Sequence, residues 1–130
     1  MNTFSRLTLT VLGCVALAAV PVTAFAAVAS GFAVETVASG LNLPTAFLYT
    51  PDGEMLVAEK DGVVRLVENG VVRSTPVLTI QNVNTYADHG LIGIAYDETQ
   101  HYLYALFTYE NNPANPIGPK TGRLSRYTLD

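Results

Sequence analysis

The sequence predicts an all-β fold made of stacked antiparallel sheets, each of four short strands. Three observations carry this. From Thr45 onward, strand-length apolar runs alternate with tight-turn dipeptides at close spacing. No segment beyond residue 26 has a helical period, so helix content there should be close to zero. Finally, Gly90 to Asp97 and Tyr102 to Tyr109 are apolar, aromatic and branched on both faces, split only by a polar turn. A strand pair of that kind needs cover on both sides, which stacked sheets provide.

The first 26 residues stand apart. Arg6 opens a short positive start, Leu7 to Val20 carry no charge, and Ala24-Phe25-Ala26 supplies a small-x-small cleavage pattern. This reads as a signal peptide over 1–26, with export to the periplasm or beyond. Pro21 and the lack of a charged stop-transfer flank argue against a retained membrane helix. Gly13-Cys14 resembles a lipidation site, but Leu12 is bulky for one and the apolar run continues past the cysteine. The expected mature chain, 27–130, is the size of one domain. With Arg6 set aside, eleven acidic residues face six basic ones, which disfavours a nucleic-acid partner. Cys14 is the only cysteine, so stability has to come from core burial or a bound ion or cofactor.

In chain order, Ser30 to Val37 reads as a short strand, and Leu43-Pro44 forces an extended lead-in. Strands are expected at 45–49, 54–59, 62–67 and 70–73, punctuated by Pro51-Asp52-Gly53, Asp61-Gly62 and Asn69-Gly70, where glycine reaches positive φ cheaply. Pro76 to Ile80 extends the outermost strand, where an edge tolerates a proline. The second sheet repeats the first. Ala46 to Tyr49 and Met55 to Ala58 match Gly93 to Tyr96 and Tyr102 to Ala105 at an offset of 47, and Val64 to Val67 match Ser125 to Thr128 at 61. A period near 47 is that of propeller blades, with an insertion between the second and third strands of the second unit. The inserted loop, Glu110 to Gly122, and the blade connection, Gln81 to His89, then emerge at one end, while the connections at the other end are short. The end with long loops is the expected functional face.

On that face Asp88 and His89 invite an acid–base pairing, but neighbouring loop residues point apart, so a loop-packing role for His89 is expected. His101 is expected in solvent, Tyr102 and Tyr104 between blades, and Asp97-Glu98 in a solvated turn. Asp88 and Glu110 are too few oxygens for calcium.

Gly40-Leu41-Asn42-Leu43-Pro44, Leu56 to Gly62 and above all Gly90-Leu91-Ile92-Gly93-Ile94-Ala95 resemble the pyrroloquinoline-quinone (PQQ)-dependent glucose/sorbosone dehydrogenases, whose corresponding string is Gly-Leu-Leu-Gly-Ile-Ala. The resemblance implies a six-bladed propeller binding PQQ and calcium on one face, a sugar substrate and a separate electron acceptor; with the signal peptide cleaved, no membrane association is expected. It implies that Ser30 to Val37 is an outer strand of the last blade. It places the catalytic histidine, the calcium ligands and a cofactor-clamping arginine beyond Asp130, so 27–130 would be two blades of a longer or truncated protein, inactive alone. One cofactor-facing position falls inside the chain, two residues before the glycine string. The family often has glutamine or glutamate there; this chain has the shorter Asp88. The alternative expectation is a non-catalytic extracellular propeller that binds sugars or protein partners.

Overall fold

A computed structural model describes residues 28–129 and divides the chain after Val34. In the first unit the described residues, 28–34, hold one turn, closed by Phe32 N donating to Ala29 O at 3.1 Å. The second unit holds eight strands and, among the described residues, no helix. The expected signal peptide lies outside the described residues.

The first sheet is an up-and-down meander of β1 (Pro44–Tyr49), β2 (Met55–Glu59), β3 (Val63–Glu68) and β4 (Val71–Val72). Each turn between them rests on a backbone that turn residues enter easily: Gly53, Gly62 and the Asn69–Gly70 pair all have positive φ. β5 (Leu78–Thr79) pairs with β3 on the same side as β4, so the fourth strand runs along the outer edge in two pieces. Arg73 N and Val77 N still donate to Leu66 O and Val64 O, and Arg65 Nη1 donates to Ser74 O, which together hold the interruption around Pro76 against β3.

The second sheet is β6 (Leu91–Asp97), β7 (Tyr102–Tyr109) and β8 (Thr121–Thr128), all antiparallel. Its outer hairpin repeats the first sheet's register. Leu56 faces Leu66 as Leu103 faces Tyr127, and Val57 faces Arg65 as Tyr104 faces Arg126. The inner hairpin departs from the constant offset of 47. Ala46 faces Ala58, but Ala105 faces Ile94 rather than Gly93, so the first strands correspond at 48. Five residues separate the paired Tyr49 and Met55, against four between Asp97 and Tyr102, and that extra turn residue shifts the strand by one. The shift exchanges faces: Ala46 and Leu48 turn inward like Ile94 and Tyr96.

The inward faces meet in one core of Leu56, Ala58, Val64 and Ile80 from the first sheet and Leu91, Leu103, Ala105 and Phe107 from the second. Innermost β1 and β6 are joined there through Leu91, whose N donates to Lys60 O at 2.9 Å and whose O accepts from Thr45 Oγ1 at 2.7 Å. These two antiparallel sheets with innermost strands adjacent are blades of a β-propeller, the second showing three of the four expected strands among the described residues.

Two expectations are corrected. Among the described residues, 30–37 form no strand, and Phe32, Val34 and Val37 are all exposed. The second strand pair is covered on one side only. Leu103, Ala105 and Phe107 are buried, whereas Leu106 on the opposite face is 43% exposed, because no third sheet stands against it among the described residues.

Candidate functional site

The two long loops do share an end, and they are bound to each other. Residues 82–84 run beside the end of β7, continuing the line of β6. Glu110 N donates to Asn82 O at 2.7 Å, Asn84 N donates to Thr108 O at 2.8 Å, and Val83 bridges Tyr109. The tight turn at Asp61–Gly62 closes beneath them, and Lys60 Nζ donates to Ala87 O.

A polar network locks the inserted loop. Glu110 Oε1 pairs with Lys120 Nζ at 2.6 Å and accepts from Asn112 N at 2.8 Å; Lys120 also donates to Asn115 O at 2.8 Å. The ion pair is close to fully buried, at 4% exposure for the Lys120 side chain and 12% for Glu110. Lys120, by its hydrogen bond, holds the Glu110 carboxyl below its ordinary pKa, with Asn84 and the Asn112 amide adding to this against the cost of burial. Buried Asn84 spans the two loops: its Nδ2 donates to Glu110 Oε2 and to Pro116 O at 3.0 Å, while its Oδ1 accepts from Tyr86 N at 3.0 Å and lies 2.8 Å from His89 Nδ1.

Asp88 is exposed on this end and forms no ion pair among the described residues. Its neighbour His89 is half-buried and turned to Asn84 instead, with its backbone N donating to Tyr86 O at 2.9 Å, so the two side chains do not form an acid–base pair. His101 is exposed and bonded to the Tyr96 hydroxyl at 2.8 Å. Tyr102 and Tyr104 lie on the less covered face of the second sheet, with the Arg126 guanidinium 4.2 Å from the Tyr102 ring centre. Asp97 Oδ1 caps its turn, accepting from Thr99 N and Gln100 N.

Sequence reasoning missed Asn84, Lys120 and Glu59. Buried Glu59 accepts from Asn42 N at 2.7 Å and Arg65 Nε at 3.1 Å, tying the lead-in to β2 and β3. The only signal available for Lys120 was that it and Glu110 bracket the insertion with opposite charges.

The large clefts lie elsewhere. One of about 530 Å³ covers the outer face of the first sheet over Val37, Phe47, Tyr49 and Met55, and another of about 560 Å³ opens at the short-loop end between Glu54, Leu66, Tyr96 and His101. The first is an uncovered packing surface of a blade, and neither is lined by the long loops.

The sequence model of the Glucose / Sorbosone dehydrogenase family matches residues 41–130, which spans both blades and both long loops. The chain belongs to this family. Solved structures place it in the same company. A glucose dehydrogenase-type oxidoreductase from Thermus thermophilus is 29% identical at a TM-score of 0.58, with 71% of this chain and 26% of that one aligned. The PQQ-bound form of aldose sugar dehydrogenase from Streptomyces coelicolor is 28% identical at 0.58, with 72% and 26% aligned. A further glucose dehydrogenase, 19% identical at 0.63 over 74% and 30%, shares the fold. Comparison with curated proteins gave no match. The chain thus spans between a quarter and a third of the length of these structures.

Proposed function

We propose that this glucose/sorbosone dehydrogenase chain supplies two blades of an exported, PQQ-dependent sugar dehydrogenase that oxidises an aldose or related sugar at a hydroxyl or hemiacetal carbon and passes the electrons to a separate acceptor. The family match across 41–130 carries this reading, and the PQQ bound in the 28%-identical Streptomyces enzyme supports the cofactor. Export rests on the signal-peptide pattern of 1–26, and its check is N-terminal sequencing of the secreted or periplasmic protein, which should begin at Ala27.

Within this chain Asp88 is the residue we assign to the cofactor face. Calcium is implied by the family resemblance, but these residues do not build its site. No group of three or more His, Cys, Asp or Glu side chains is placed to hold a metal among the described residues, and the Glu110 carboxylate is already engaged by Lys120, Asn84 and Asn112. When bound, a quinone can take the hydride leaving a sugar C–H bond as a base removes the hydroxyl proton. The residues of these two blades provide the scaffold and one polar face, and the base belongs to the histidine expected beyond Asp130.

The test is acceptor reduction by aldoses in the presence of PQQ and calcium. A protein that continues past Asp130 into a glycine-rich, histidine-bearing segment should turn over, and residues 27–130 alone should not exceed the blank. Turnover by the short chain would overturn the assignment of the chemistry to later blades. A longer protein that binds sugar but never reduces the acceptor would favour the binding module.

A further inference from the structure

We propose that Asn84 is a positioning residue of the long-loop face: it fixes a proton on His89 Nδ1, so that in the neutral ring Nε2 is the one proton-accepting atom.

Partners that can act in only one way orient the Asn84 amide. Glu110 Oε2 and Pro116 O can only accept, so the side of the amide that faces both must be the NH₂ group. Tyr86 N can only donate, so the side facing it must be the oxygen. Three partners thus orient the buried amide one way. His89 Nδ1 lies 2.8 Å from that same oxygen, which obliges Nδ1 to be the donor. A neutral imidazole carries one proton, and here it is on Nδ1. The setting is itself fixed, because the near-buried Lys120–Glu110 pair holds Glu110 in place and the backbone bonds of Asn82 and Asn84 hold the loop.

The consequence is chemical. Nε2 makes no hydrogen bond among the described residues, so the neutral ring keeps its lone pair there and meets a hydroxylated ligand as an acceptor at that atom. An unconstrained histidine could present either nitrogen. The inference rests on the dehydrogenase reading only for which ligand reaches the face; the tautomer follows from the hydrogen bonds alone, so either can fail without the other.

The test is magic-angle-spinning ¹⁵N NMR of the full chain, which reads ring nitrogens whether the protein is monomeric or associated. The chain contains two histidines, and the His101→Gln variant assigns the His89 ring. With rings neutral, at about pH 9, His89 should show a protonated Nδ1 and a bare Nε2, with a contact from the Nδ1 proton to Asn84 Cγ. Asn84→Ala should turn this single tautomer into a mixture. An Nε2-protonated ring in the unchanged chain, a missing Asn84 contact, or a tautomer indifferent to Asn84→Ala would each overturn the proposal. Should Asn84→Ala fail to fold, the two readings on the unchanged chain still decide it.

Discussion

Gly90 carries much of the mechanical demand at the junction of the two blades. Its φ of 151° lies where only glycine is comfortable, and a Cβ there would sit 2.7 Å from Lys60 O, the carbonyl that receives Leu91 N. Gly93, three residues on in the same string, has open space where a Cβ would stand, with nothing within 4 Å. Gly90→Ala should therefore cost at least about 1–3 kcal/mol, and Gly93→Ala about 0.5 kcal/mol or less, as read from denaturant midpoints at unchanged slope. The inserted loop makes a second prediction at this scale. The Glu110 pKa is lowered in the folded chain, so its contribution to stability is fully present above the unfolded value near 4.5 and is lost as pH falls through the lower folded value. The stability gap between the parent and Glu110→Gln should stay constant at neutral pH and narrow in acid below that point, as followed by denaturation across a pH series. Glu110 and Asp88 could be singled out in the sequence because acidic residues in long loops stand out. Asn84 and Lys120 could not, since what makes them matter is burial and a partner 26 or 10 residues away.

Strands and turns were the most legible level, for a local reason. Asn69–Gly70 and Gly53 encode a backbone conformation directly, and the alternation between them leaves room only for short strands. What the pattern does not encode is turn length, and so it carries no sign of the one-residue difference between the two inner hairpins, although the outer hairpins match. Glu59 shows the same limit, because it closes an apolar strand and nothing nearby marks it as buried. Its carboxylate ties three segments together through Asn42 and Arg65. Arg65→Met should leave that charge with one donor and destabilise the first blade by about 2–3 kcal/mol, below the usual range for a broken buried pair because Arg65 is itself 26% exposed. Glu59→Leu combined with Arg65→Met should recover part of the loss, and equilibrium unfolding of the three variants measures the coupling.

At the scale of the whole molecule, each blade has one face in the shared core and one without a neighbour among the described residues. Phe47 and Tyr49 on the first, and Leu106 and Leu124 on the second, are between 43% and 67% exposed. Burying such a side chain fully contributes about 1.5–3 kcal/mol, so these four left about half-bare forfeit roughly 3–6 kcal/mol, comparable to the lower end of a typical net stability of about 5–15 kcal/mol. In a propeller these are the faces on which adjacent blades stack. The most direct test is the solution state of residues 27–130, measured by light scattering together with hydrophobic-dye binding and a thermal melt. The chain should associate or bind dye with a broad transition, and Leu106→Glu with Leu124→Glu should reduce the association. A dye-silent monomer with a sharp, cooperative melt would show that the two sheets are self-sufficient and would contradict the account of them as blades awaiting neighbours.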